Sequence, residues 1–321
     1  MREQEFGWEP PGPGMVTELQ ASLDADNRIV SWNREVWSNT HSNRPVGAGV
    51  VLVGGEVIPG FPAPEPKPIP MPEGDGSRNS NPLYALPNMH VIYHFLKDMP
   101  LRVSALRSLG AHLNVFSIEC MLDELAKMAR IDPLNFRLNH MKDDRARAVM
   151  TEATERFGWS KRVRRDGCRG CGMAFARYKN IGAYLPVAME IEVDRDTGNI
   201  SVRRVVAATD CGQPVNPSGI RNQIEGGIIQ SLSWTTREEV TFSATHRTSF
   251  DWSAYPIIRF EHVPESIDVH IVDRPSQPFL GVAECAQGPT AAALANAVAD
   301  ATGLRLRDMP LSPERLKRLL I

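Results

Sequence analysis

Proline sets the strongest limit on how this chain can fold. It recurs at Pro59, Pro62, Pro64, Pro66, Pro68, Pro70 and Pro72, inside a Gly- and Pro-rich stretch running from about Pro45 to Pro87. Proline cannot donate to a ladder and clashes with the preceding helical turn, so near-alternating prolines forbid both strand and helix. An extended, polyproline-like strap is left. It reads equally as a linker between domains or as a strap packed across a partner subunit.

On either side of that break the patterns mix both kinds of element. Val16 to Leu23 alternates, Asp24-Ala25-Asp26-Asn27 supplies a turn, and Arg28 to Ser38 continues with Val30, Trp32, Val36 and Trp37, which predicts a β-hairpin. Val115, Ile118, Leu122, Leu125 and Met128 form one apolar helical stripe. Asp132-Pro133 starts a second helix, and a third runs from about Arg145 to Phe157 and stops at Gly158. Strands are expected at Gly170–Lys179, Pro186–Asp194 and Ile200–Thr209, the last two joined by an Asp196-Thr197-Gly198-Asn199 turn. Further helices fall at Asn222–Ser233, at Pro289–Ala301 and after Ser312-Pro313. The class is α+β. At 321 residues the chain exceeds an average domain, so two intertwined α+β subdomains are expected, 1–160 with the strap at 45–87, and 161–321.

Composition excludes more than it assigns. A formal net charge of -2 gives no electrostatic reason to expect nucleic acid. No apolar run reaches the roughly 18 to 20 residues that span a bilayer, and the acidic opening lacks the layout of a signal peptide. A cytoplasmic chain is expected, with association to the inner membrane only through a partner. Five cysteines at scattered spacings argue against a disulfide framework. Cys168 and Cys171 form a lone C-x-x-C with no second half to complete a tetrahedral site. His90 and His94 lie in a strand-like run, where a four-residue separation puts them about 13 Å apart, too far for one ion.

Three stretches have a composition that suits neither plain core nor plain surface. In Pro100 to Gly110, Arg102 and Arg107 sit in a small-residue loop before a helix, which suits either an anion site or arginines on nearby carbonyls. Asp210 to Pro217, running into Asn222-Gln223-Ile224-Glu225-Gly226-Gly227 and on to Gln230, offers amides and close backbone approach to a polar ligand. It also reads as a helix start with glycines for packing. In Gly281 to Pro289, Glu284 has no basic neighbour in sequence. It can be a base in a pocket, where partial desolvation would raise its pKa, or an acid complementing a helix dipole.

Together these stretches resemble the molybdopterin-binding large subunits of the xanthine dehydrogenase and aldehyde oxidase family, and within it the nicotinate and isoquinoline type. The resemblance rests on Met1-Arg2-Glu3-Gln4-Glu5-Phe6-Gly7-Trp8-Glu9-Pro10, Trp37-Ser38-Asn39-Thr40-His41, the Arg107 loop, Met121 to Ala126, Asp132-Pro133-Leu134-Asn135-Phe136-Arg137, Gln223 to Gly226 and the Glu284 loop. It runs in order along nearly the whole chain, as the C-terminal half of such a subunit.

The resemblance implies a molybdenum hydroxylase that adds water-derived oxygen to an N-heteroaromatic compound or an aldehyde. Glu284 would be the general base and Arg107 would orient substrate or stabilise negative charge. Ser104, Ser108, Asn222, Gln223, Gln287 and Gly288 would bind the cofactor. The metal would have no protein ligand, being held by the pterin dithiolene of molybdenum-molybdopterin in its cytosine dinucleotide form. Loops that the family carries ahead of this region would come from a second molybdopterin-binding chain. With no iron–sulfur cysteine cluster here, a two-iron two-sulfur subunit and a flavin or cytochrome (haem) subunit would carry electrons away. Rival readings are a non-catalytic or truncated family member, and a cofactor-free hydrolase with Glu284 as base.

Overall fold

A computed structural model describes residues 5–7, 9–41, 65–163 and 166–320. The hairpin forms as expected. β1 (Met15–Leu23) pairs antiparallel with β2 (Ile29–Asn39), and Asp24 Oδ1 closes the turn by accepting from the backbone N–H of Asp26 (2.9 Å) and Arg28 (2.8 Å). β3 (Met89–Leu96) adds parallel to β2, giving the sheet order β1-β2-β3. His94 lies on it, stacked on Trp37 at 4.7 Å and 2.6 Å from Glu35 Oε2, while His90 is exposed.

The three helices follow as α1 (Ala111–Ala129), α2 (Pro133–Asn139) and α3 (Asp144–Phe157). The Asp132 side chain caps α2 on the backbone N–H of Leu134 and Asn135, and Gly158 ends α3 with φ 75°. The apolar stripe of α1 does not include Met128, which is 72% exposed, while Ala126 and Ala129 are buried beside Leu125.

The second sheet has the order β4-β5-β6-β7, with β4 (Arg169–Arg177), β5 (Tyr184–Val193) and β6 (Ile200–Asp210) antiparallel. β7 (Ile267–Val272), which the sequence pattern did not reveal, lies parallel to β6. One face is covered by α5 (Gln287–Thr302) and the other by α3, so β5 is buried almost throughout and reads as a continuous apolar run. α5 is alanine-rich for a physical reason. A Cβ added at Gly172 would overlap Ala293 O and Ala297 N, and one at Gly170 would overlap Ala297 O, so helix and strand meet backbone to backbone. α4 (Pro217–Thr236) is longer than expected. Asn216 caps it by accepting from the Gly219 N–H at 2.9 Å, and Pro217 sits in its first turn. α6 (Pro313–Leu320) closes the described chain.

α1 joins the two halves of the packing, with Ala111, Phe116 and Cys120 in the core around α5 and Ile118, Leu122 and Leu125 in the core around Trp32. A buried ion pair fastens it. Arg137 Nε donates to Glu119 Oε2 (2.8 Å), the Phe175 N–H donates to the same oxygen (3.0 Å), and Tyr84 Oη donates to Glu119 Oε1 (2.7 Å).

The strap expectation needs correction at residues 74–80. Pro59, Pro62 and Pro64 lie outside the described residues, as do Met1 to Gln4 and Trp8 of the opening run. Residues 74–80, however, are neither linker nor extended strap: they form a buried turn. Asn114 Nδ2 donates to Gly76 O and Arg78 O (both 2.8 Å), and Asn79 Nδ2 donates to Arg177 O (2.8 Å), so the turn is bound into the interior from both sides. Its Asp-Gly-Ser-Arg-Asn-Ser sequence holds no proline, which permits the turn.

Candidate functional site

The three unusual stretches converge. The Arg107 loop leads into α1, Gln223 and Gln230 lie on α4, and Glu284 precedes α5. Arg107 ties them together: Nε donates to Ala283 O (2.7 Å), Nη1 to Gln230 Oε1 (3.2 Å), and Nη2 to Gln223 Oε1 (2.7 Å), to Gln223 O (3.2 Å) and to Ala283 O. Each of the three guanidinium nitrogens is thus turned to a protein oxygen. This is the carbonyl-tying arrangement, one of the two readings its loop allowed.

Glu284 sits at the centre, with its side chain 31% exposed. Oε1 accepts from the Ser108 N–H (3.2 Å), Ser108 Oγ donates to Glu284 O (3.1 Å), and Oε2 accepts from Tyr178 Oη. Arg78 Nη1 stands 3.6 Å from Oε2, so the absence of basic neighbours in sequence does not carry into space. Nor does the carboxylate serve α5, whose N-cap Ala286 has no side-chain cap; its partners belong to other segments. Burial, reinforced by the hydrogen bond to Glu284, holds the Tyr178 hydroxyl well above the usual phenol range, so it remains a proton donor. Next in sequence, the Cys285 thiol is pushed up to about 12 by burial and donates to Val282 O (3.0 Å), which leaves it a poor nucleophile.

The remaining predicted residues divide into an outer and an inner set. Asn222 and Gln223 are exposed on α4 beside Gly226, where an added Cβ would meet nothing within 4 Å. Ser104 is half-buried, its N–H on Pro11 O at 3.0 Å. Ser108 is buried and occupied by Glu284. Gln287 is fully buried, with its backbone oxygen accepting from Ser231 Oγ (2.7 Å); turned by half a rotation, its amide donates to Glu284 O and accepts from Arg107 Nε, both at 3.1 Å. Gly288 lets α5 approach α1, since a Cβ there would lie 2.6 Å from Val115 Cβ.

Arg78 and Tyr178 escaped the sequence reading. Tyr178 gave no signal, but the proline-free polar run around Arg78 could have marked a turn within the supposed strap. The lone C-x-x-C takes no part: Cys171 is buried on β4 and its thiol is pushed up to about 12 by burial. Among the described residues no group of three or more His, Cys, Asp or Glu side chains gathers as a metal cage. The outer donor set of neutral amides around an open glycine suits a hydrogen-bonding heterocycle such as a pterin.

Residues 119–264 match the family model described as a molybdopterin cofactor-binding domain. The chain is 36% identical over 333 aligned residues, 99% of its length, to a nicotinate dehydrogenase subunit of Pseudomonas putida KT2440. It is 32% identical over 66% of its length to the beta subunit of isoquinoline 1-oxidoreductase from Brevundimonas diminuta, and it spans 27% of each of these two relatives. The fold matches quinoline 2-oxidoreductase of Pseudomonas putida 86 with TM-score 0.79 at 14% identity, covering 100% of this chain and 64% of that one. It also matches aldehyde oxidoreductase of Desulfovibrio gigas with TM-score 0.78 at 13% identity, covering 99% of this chain and 50% of that one. The chain belongs to the molybdopterin-binding subunits of the molybdenum hydroxylase family, the xanthine dehydrogenase and aldehyde oxidase group.

Proposed function

We propose that this chain supplies the base-bearing part of a molybdenum hydroxylase that adds water-derived oxygen to an N-heteroaromatic compound or an aldehyde. The observation that carries the reading is a carboxylate, Glu284, held through both oxygens at the junction of three loops and still partly open to solvent. The names of the relatives, nicotinate dehydrogenase and isoquinoline 1-oxidoreductase among them, favour a heteroaromatic substrate over an aldehyde.

When bound, molybdenum-molybdopterin supplies Lewis acidity and accepts two electrons. Glu284 takes up, at its carboxylate, the proton that the water-derived nucleophile must lose. Arg107 fixes Ala283, the residue before the base, so its part is to hold the site. Asn222, Gln223 and Ser104 would meet the pterin, in a cytosine dinucleotide form, while Ser108, Gln287 and Gly288 shape the wall behind them. The electrons leave through partner chains bearing a two-iron two-sulfur centre and a flavin or haem. A second molybdopterin-binding portion completes the cradle, and the assembly works in the cytoplasm.

The test combines metal analysis with one substitution. In the complex isolated from its own host, molybdenum is expected in stoichiometric amount. Glu284→Gln, which keeps the size but cannot act as base, should retain that metal while substrate-driven anaerobic reduction slows about 100- to 10,000-fold. Near-native reduction by the variant removes Glu284 as base. Activity without molybdenum would favour a cofactor-free hydrolase.

A further inference from the structure

Glu284 Oε2 ends a short hydrogen-bonded chain drawn from three separate parts of the fold. Arg78 Nη1, from the buried 74–80 turn, donates to Tyr178 Oη at 2.5 Å, and Tyr178 Oη donates to Glu284 Oε2. Arg78 cannot swing freely, because its Nε donates to Glu73 O (2.7 Å), its Nη2 donates to Gly74 O (3.1 Å), and its guanidinium lies 5.5 Å from the Tyr178 ring centroid. Tyr178 is fixed through its neighbours: the Lys179 N–H donates to Asn79 Oδ1 (2.8 Å) and Asn79 Nδ2 donates to Arg177 O (2.8 Å). The other charged groups near this chain are Arg107, bound through Ala283 O, Lys179, whose Nζ lies 5.6 Å from the Tyr178 ring centroid, and Glu73, which lies 3.9 Å from Arg78 and also pairs with Lys179.

A glutamate on an open loop samples several rotamers, and proton transfer needs the acceptor within hydrogen-bond reach of one reacting atom. Here Ser108 N–H holds one oxygen and the Tyr178 hydroxyl holds the other, which leaves the carboxylate a single orientation. Anchoring the 74–80 turn does not require the phenol oxygen, since Arg78 already has two backbone carbonyls there. We infer that Tyr178 and Arg78 are positioning residues for Glu284, a relay by which the buried turn sets the direction of the base. This rests on Glu284 being the base.

The experiment uses the intact complex from its own host. Tyr178→Phe keeps the ring on which Arg78 lies and removes one oxygen. It should lower kcat about 10- to 100-fold, the scale of an ångström of misplacement, with KM and molybdenum content unchanged. Combined with Glu284→Gln it should add no further loss, because both substitutions cut the same link. A readout independent of turnover comes from complex prepared from molybdate-starved cells. The infrared C–O stretch of Tyr178, isolated by subtracting the Tyr178→Phe spectrum, should shift when Glu284 becomes Gln. Native kcat in Tyr178→Phe, losses that multiply in the double variant, or a Tyr178 band indifferent to Glu284→Gln would each overturn the relay. Native turnover in Glu284→Gln alone would instead remove the base reading, and the relay's purpose with it.

Discussion

Arg107→Lys separates holding the site from gripping the substrate. Lysine keeps the charge but is a single nitrogen on a flexible stem, whereas the guanidinium serves Ala283 O, both Gln223 oxygens and Gln230 at once. Hydrogen bonds from a charged donor contribute about 1.5 to 3 kcal/mol each. If lysine gives up two of them, and solvent at this half-buried position cancels about half of their worth, roughly 1.5 to 3 kcal/mol of fixation of the 281–286 loop is lost. At 1.36 kcal/mol per decade that corresponds to a fall in turnover of about 13- to 160-fold. Two measurements check it: the rate of anaerobic reduction at saturating substrate, and hydrogen exchange at the amides of 281–286. Turnover should drop, KM should stay near native, and the loop should exchange faster. A raised KM with native turnover and native exchange would refute the reasoning and make Arg107 a substrate-binding group.

Glu119→Gln should destabilise the fold by about 3 to 5 kcal/mol, since Arg137, fully buried, would lose its hydrogen-bonded charged partner and keep only Asp123 at 3.9 Å; the urea midpoint measures this, and a change under 1 kcal/mol would contradict the buried pair. Asp210 should steepen acid unfolding. Burial alone would raise its pKa, but hydrogen bonds from Arg145, the Gly212 N–H and Arg274 outweigh it and leave the value depressed. Its contribution is therefore present above about pH 4, the ordinary aspartate value, and is lost as pH falls through the lower folded value. Asp210→Asn should be less stable at neutral pH and lose less stability on acidification; parallel native and variant curves below pH 4 would refute this.

Elements whose signals are local could be read from the sequence: the hairpin through its Asp24 turn, α2 through Asp132-Pro133, α3 through Gly158. β7 could not, because it is an edge strand in which Val269 is the one buried residue and alternation hardly shows. The start of α4 at Asn216-Pro217 was a legible cap that went unused. At the site, Glu284, Arg107 and Gln223 stood out as polar groups among small residues. Arg78 and Tyr178 did not, since each looks ordinary among its neighbours, and only closure of the 74–80 turn onto the end of β4 brings them to the carboxylate.

The glycine seam between β4 and α5 reaches further than packing. α5 begins at Gln287, directly after the base loop, and its depth against the sheet is set by Gly170 and Gly172, where backbone meets backbone. β4 therefore acts as a ruler for the height at which the base stands. Any side chain admitted at that seam lifts the helix and carries the loop with it. The height of the Glu284 loop can thus be retuned from the back of the molecule, without altering a residue of the loop itself.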